Sequence, residues 1–375
     1  MAKISVIYHH FPHYRAPVMR ALASSQKHDY HFYGSLNDFD GIKAFHGDDR
    51  VKINPIFFKK NSFGVMDISS FDEAVSKEYD ATIIIGHLKM PGTWSALTQA
   101  KSNGLKTALW AHGWLRKENY FKGKLRNYYF NKADCVLTYG ERAIKIAKDS
   151  GFPSEKINVI WNSLDWDKQS NIYNSLNNTP IRDLRKDIDM PLDKPILLTI
   201  SRITEICHYD WLIKAVANIR EKGQLLPEIW MIGQGPVLEE LRSLAQDLKV
   251  PLHLKGAIYD EGIIAKHIMA ANLVVSPGKL GLTAMHALAY GTPAITHSNF
   301  DLQMPEVESI IEGKSGALFH YADIQDLVNV ISKSLESYSD KVKVRENCRA
   351  ALIGRFTPQD QCYLIDAAMD RILNG

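Results

Sequence analysis

Leu273-Val274-Val275-Ser276-Pro277-Gly278-Lys279-Leu280-Gly281-Leu282-Thr283-Ala284-Met285-His286-Ala287-Leu288-Ala289-Tyr290-Gly291 is the stretch that decides how this chain folds. A short apolar strand (Leu273–Ser276) passes through a proline and two glycines into a helix (Leu282–Tyr290). Strand, glycine turn and helix make one βα unit of a parallel sheet. The same unit recurs outward in both directions. Towards the C-terminus, strands are expected at Pro293–His297 and Ala317–Phe319, with a last amphipathic helix at Pro358–Leu373. Towards the N-terminus they are expected at Leu252–Gly256, Glu228–Gly233 and Pro195–Ser201. Residues 166–194 are polar, carry Asn177-Asn178-Thr179-Pro180 and Pro191 as breakers, and read as an interdomain connection. Before them the pattern runs again, with strands at Lys3–Tyr8, Tyr30–Tyr33, Ala81–Gly86, Lys106–Ala111, Cys135–Thr138 and Asn158–Ile160. The fold class is therefore α/β, with two doubly wound, Rossmann-like parallel-sheet domains. The first covers residues 1–165 and the second 195–357. Residues 358–375 are a terminal helix that packs back on the first.

Two domains suit 375 residues better than one core does. The longest apolar runs are strand-sized, and the N-terminus enters a strand without a signal peptide's apolar region. Cys135, Cys207, Cys348 and Cys362 have neither metal-ligand nor CxxC spacing, which suits a reduced, cytoplasmic protein. The formal charge of +3 is uneven: the basic excess lies in residues 1–165. Much of it sits at 115–132, where Arg116, Lys117, Lys122, Lys124, Arg126 and Lys132 meet one acid, Glu118, among Tyr120, Phe121, Tyr128, Tyr129 and Phe130. One reading is a solvated helix with a packed aromatic face. The other is a surface for anionic lipid or a polyprenyl diphosphate, on the inner face of the plasma membrane. No motif supports nucleic acid.

Open parallel sheets bind ligands beyond the carboxyl ends of their strands. In the first domain those ends carry His10, His13 and Arg15, then His87, then His112 with Gly113. In the second, Gly278, Lys279, Leu280, Gly281, Leu282 and Thr283 form a turn suited to a diphosphate, with open N–H groups at a helix start, glycines that admit close approach and a threonine able to cap. Arg202, past the Leu197–Ser201 strand, supplies a second cation. Gly233-Gln234-Gly235-Pro236 fails the dinucleotide test, since Leu238 stands where a glycine is needed.

Together these landmarks resemble the family 4, or group 1, glycosyltransferases of GT-B architecture, in the branch that builds surface polysaccharide, including lipopolysaccharide. The matching residues are His112-Gly113, Asn162-Ser163-Leu164-Asp165, Ser201-Arg202, Gly233-x-Gly235-Pro236, Gly281-Leu282 and Ala287-Leu288-Ala289-Tyr290-Gly291-Thr292-Pro293, with Asn299–Glu306. The resemblance implies two domains facing across a cleft. It implies a retaining, metal-independent transferase without a cofactor, moving a sugar from a nucleotide diphosphate (UDP rather than GDP) to a glycan or polyprenyl-diphosphate-linked acceptor. It gives His112 and Arg202 catalytic roles. The donor lies on Arg202, Ile258, Gly278–Thr283 and His286, with the base near Gly256–Ile258. The acceptor lies on His10, His13, Arg15 and His87. Three positions depart from the family: its paired glutamates correspond to Gly278 and His286, and its second cation to Cys207. A lysine at 207, in a loop expected to be open, would restore that cation. Alternatives are a nucleotide-sugar-binding subunit without turnover, and a sugar-nucleotide epimerase on the same scaffold.

Overall fold

The computed structural model describes residues 1–39, 41–60, 66–221, 223 and 226–375. It contains two α/β units, Met1–Asp165 with Gly354–Gly375, and Trp166–Ile353.

The strands of the first unit are β1 (Ala2–His10), β2 (His28–Ser35), β3 (Ile53–Pro55), β4 (Phe57–Lys60), β5 (Met66–Ser69), β6 (Ala81–Ile85), β7 (Lys106–Trp110), β8 (Cys135–Thr138) and β9 (Ile157–Val159). Seven of them form one parallel sheet in the order β3-β2-β1-β6-β7-β8-β9, and β4 pairs antiparallel with β5. Both faces of the central strands are covered, so they read as apolar runs rather than alternating ones. Ala81, Ile83 and Ile84 of β6 are wholly buried, as are Ile4, Val6 and Ile7 of β1. The strand order reverses between β1 and β6. Their carboxyl ends therefore open a crevice rather than a closed edge.

Helix Pro358–Asn374 belongs to this unit despite its place at the end of the chain. A capping box of Thr357 and Asp360 starts it. Cys362, Ile365, Ala368, Met369 and Ile372 join the first core. Asp366 accepts hydrogen bonds from the Tyr30 hydroxyl at 2.7 Å and the Ser25 hydroxyl at 2.8 Å.

The second unit holds β10 (Ile196–Ile200), β11 (Glu228–Ile232), β12 (Leu252–Leu254), β13 (Leu273–Val275), β14 (Ala294–His297) and β15 (Gly316–Phe319), parallel in the order β12-β11-β10-β13-β14-β15. Here the order reverses between β10 and β13. Residues 166–194 differ from the connection expected of them. They fold as helices Trp166–Leu176 and Ile181–Asp187 within this unit. The buried Arg185 staples them down, donating to the carbonyls of Ala270, Pro191 and Lys194 and to Asn272 Oδ1. Packing here is carried by this polar staple, so apolar content alone did not reveal it. Strands β3 to β5 and helix Lys341–Ala350 are also additions to the expected elements. β3 is three residues long and ends in Pro55, which is tolerated because the strand lies at the sheet edge.

Asp366→Ala strands the buried Tyr30 hydroxyl and the half-buried Ser25 hydroxyl and should lower the unfolding free energy by about 1–3 kcal/mol. The midpoint of urea unfolding measures this, with Asp366→Asn expected to lose less.

Candidate active site

At the reversal of the second sheet, the loop after β10 is held by other backbone. Ser201 N–H donates to the Ile232 carbonyl at 3.2 Å, and Ile203 N–H to the Gln234 carbonyl at 2.9 Å. A Cβ built on Gly235 would run into the Ile203 carbonyl oxygen, so only glycine lets the two chains cross here. From the other side, Gly278 N–H donates to the Cys207 carbonyl at 2.9 Å and Lys279 N–H to that of Ile206 at 3.1 Å. Gln303, buried, ties the turn together: it accepts from Leu280 N–H at 2.8 Å and donates to the Gly278 carbonyl, Thr296 Oγ1 and the His297 carbonyl. What this framework presents outward is Arg202 and Lys279, both exposed. Neither has a carboxylate partner among the described residues. The N–H groups of Gly281, Leu282 and Thr283 likewise have no protein acceptor among them.

Several expected roles change in this geometry. The N–H groups of Gly278, Lys279 and Leu280 are already paired, so the open N–H groups of the turn begin at Gly281. Gly278 is a glycine because a Cβ there would strike the Ile206 carbonyl and the Cys207 backbone. Close approach to the chain's own backbone, not to a ligand, requires it. Thr283 neither caps its helix nor leaves its hydroxyl proton free, since that proton goes to the Ile200 carbonyl at 3.0 Å. Cys207 is not open: it is 5% exposed, and its thiol donates to the Arg202 carbonyl at 3.3 Å. A lysine there would have to lead its ammonium out of a closed loop. Ile258 is half-buried against the second core, following the Gly256 turn, whose carbonyl accepts from Gly233 N–H at 2.8 Å.

His286 has a partner that sequence reading missed. Its Nε2–H donates to Glu261 Oε1 at 2.9 Å, beside the Tyr290 hydroxyl at 2.7 Å and Gln169 Nε2 at 3.4 Å. Burial alone would raise the Glu261 pKa, but these donors outweigh it and hold the carboxyl at about 2. An ionised carboxylate only accepts, so Nε2 carries a proton in this bond. Glu261 is the first residue of a helix 25 positions upstream of His286, a place where acids are common for capping reasons alone.

In the first unit, β1, β6 and β7 are neighbours, so the strand ends carrying His10, His87 and His112 lie side by side. Their exposure differs. His112 and His13 are exposed and His87 is half-buried. His10 is 2% exposed and lies against Phe39 and the His9 ring, so it cannot form the wall expected of it. Arg15 is also buried. Its guanidinium is boxed by the rings of Tyr8, Trp110 and Tyr139 at 5.1–5.2 Å and donates to the Tyr139 hydroxyl. The His112 ring packs edge-on against the same Tyr139 at 5.0 Å. Arg15 thus supports His112 through one shared ring. Burial, then His10, His87 and Arg15, lower the His9 pKa to about 3, and burial lowers those of His10 and His87.

Two family models match the chain. Residues 17–168 match Glycosyltransferase Family 4, and residues 194–337 match Glycosyl transferases group 1. The chain belongs to the group 1 glycosyltransferases. It is 24% identical over 232 residues to the lipopolysaccharide core biosynthesis glycosyltransferase LpsE of Rhizobium meliloti, covering 61% of this chain and 62% of that one. It is 26% identical over 168 residues to the alpha-monoglucosyldiacylglycerol synthase of Streptococcus pneumoniae, covering 43% and 36%. The chain thus spans less than two thirds of the length of these relatives. The crystal structure of Anabaena HepE in complex with UDP has the same GT-B fold, with a TM-score of 0.72 at 16% identity, covering 99% of this chain and 100% of that one.

Within a group 1 transferase, the departures at 207 and 278 are one structural fact, because the two segments lie against each other backbone to backbone. Gly278→Glu would return the family's carboxylate but must push the 206–207 backbone away. It is expected to cost about 1–3 kcal/mol of stability and to weaken nucleotide binding. Urea unfolding and titration calorimetry on the same variant measure the two effects.

Proposed function

We propose that this group 1 enzyme transfers a sugar, with retention at the anomeric carbon, from a nucleotide diphosphate to a glycan or lipid-linked glycan of a bacterial surface polysaccharide. The observation that carries the reading is Arg202, exposed, without a carboxylate, and fixed at the strand reversal of the second sheet. The second unit would hold the donor. Arg202, Lys279 and the N–H groups of Gly281–Thr283 would meet the charge that grows on the bridging oxygen as the diphosphate leaves. Pre-set donors of this kind need no metal. His286, oriented by Glu261, would accept from a ribose hydroxyl, and backbone near Ile258 would hold the base. UDP is favoured as the nucleotide because HepE, of the same fold, is known in complex with UDP and with UDP-glucose.

The first unit would take the acceptor, with His112 in the chemical step and His13 and His87 along its path. Tyr120, Phe121, Leu125 and Tyr128 are 71%, 83%, 49% and 59% exposed on helix Tyr120–Asn131, among lysines. That combination suits peripheral attachment to an anionic membrane surface. A second reading, a donor-binding subunit without turnover, draws support from the missing cation at Cys207. Donor binding with no transfer to any lipid-linked acceptor would select it.

Thermal-shift titration with UDP, GDP, ADP and CMP should give the largest rise with UDP. Arg202→Ala should weaken UDP binding by about 10- to 150-fold, the worth of a charge-assisted hydrogen bond of about 1.5–3 kcal/mol. Unchanged affinity in a folded variant removes the diphosphate from this crevice.

His112→Ala should leave the melting temperature within a few degrees of the parent, since the ring is exposed, and lower turnover by about 10²-fold. Near-normal turnover at saturating donor would return His112 to a bystander.

A further inference from the structure

The first unit has a pocket of about 320 Å³ past the ends of β6 and β7, reached by His87 and His112 and walled by the start of the basic segment. Its charges do not cancel. Glu118 is the one acid in the lining, and Arg126 grips it with two bonds of 2.7 Å while Lys122 reaches it at 3.0 Å. Those bonds, led by Arg126, hold the Glu118 carboxyl at about 2 against the opposing effect of burial. Arg126 also donates to the Gly113 carbonyl at 2.9 Å, which ties this floor to the loop that carries His112. Two further cations of the lining, Lys89 and Arg116, are exposed and have no carboxylate partner among the described residues. The pocket is thus a concave site with a rigid ionic floor and two unpaired cations at its rim.

We propose that this pocket binds a phosphate group of the acceptor, on Lys89 and Arg116 with Lys122 of the floor. The proposal rests on the reading of the first unit as the acceptor side. Four cations against one neutralised acid call for a polyanion, and a guanidinium beside ammonium groups matches phosphate oxygens well. The anion would lie beside His112, where an acceptor's first sugar must present its hydroxyl. Lys122 and Arg126 belong to the same helix that exposes Tyr120, Phe121, Leu125 and Tyr128, so a phosphate in the pocket would have apolar surface next to it for a lipid tail.

The test uses the whole protein and two probes. Inorganic pyrophosphate is titrated calorimetrically into UDP-saturated protein, so that the donor crevice is not its target. Sedimentation with phosphatidylcholine vesicles, with and without phosphatidylglycerol, supplies the lipid arm. The Lys89→Ala/Arg116→Ala double variant changes only exposed side chains, and its UDP affinity should equal that of the parent. A tenfold or greater loss of both pyrophosphate and phosphatidylglycerol-dependent binding supports a general phosphate site. Loss of the vesicle arm alone identifies a lipid headgroup, and loss of the pyrophosphate arm alone a soluble phosphate. If neither arm changes, the proposal is overturned, whatever UDP does. If UDP fails to bind the parent, the donor reading falls, and pyrophosphate titrated without UDP still decides the pocket.

Discussion

Backbone pressed against backbone is the constraint on which the proposed donor side depends. The segment Ser201–Ile203 is bonded to Ile232 and Gln234 on one side, while the turn that follows it, 205–207, is bonded to Gly278 and Lys279 on the other. Such contacts leave no room for side chains, and that is why glycine stands at 235 and 278. Buried amide groups must find partners, so once these segments approach, their N–H and C=O groups lock in register. Gln303 and the Cys207 thiol close the remaining gaps. The outcome is a rigid rim from which Arg202 and a row of open N–H groups project. If a diphosphate departs here as proposed, little reorganisation is left for the moment when charge develops, which is the condition under which oriented dipoles and cations contribute most.

The first unit solves a different electrostatic problem. It brings His9, His10 and His87 near the buried Arg15, a combination that would repel itself if every group were charged. Arg15 keeps its charge inside an aromatic box, where ring faces and hydroxyl oxygens replace water. Burial holds the histidines neutral, and the buried Arg15 adds to the effect on His9 and His10. Neutral imidazoles can accept as well as donate, which a protonated set could not. The positive charge that stays available lies further out, at Lys89 and Arg116.

Most of the architecture was legible because parallel strands buried on both faces write themselves as apolar runs at regular spacing, as β6 and β10 do. The strand-end rule pointed to His112, Arg202 and the 278–283 turn, and these do follow the ends of β7, β10 and β13. Boundaries failed where polar residues carry the packing. Arg185 fixes 166–194 to the second unit through main-chain carbonyls, which leave no trace in composition. Exposure was also invisible. His10 and His112 both end strands, but one lies under Phe39 and the other is open. Cys207 looked like a loop residue and is a buried one, because its loop is covered by the 278–279 backbone. Glu261 carried no signal at all, since its partner His286 is on another helix.

Under the proposed placement of the donor, the three departures from the family pattern leave the charge of its crevice nearly intact. A pattern of one arginine, one lysine and two glutamates sums to zero. Here Cys207 removes a cation and Gly278 removes an anion from segments that touch each other. At the second glutamate's position His286 instead bonds Glu261, whose carboxyl is held ionised. Arg202 and Glu261 then balance, and Lys279 adds a positive charge beside Arg202. A lone loss at 207 would have left carboxylates facing a diphosphate with one cation between them. What the structure holds at these two positions is backbone bonded to backbone, from which Arg202 and Lys279 project as exposed cations without a carboxylate partner among the described residues.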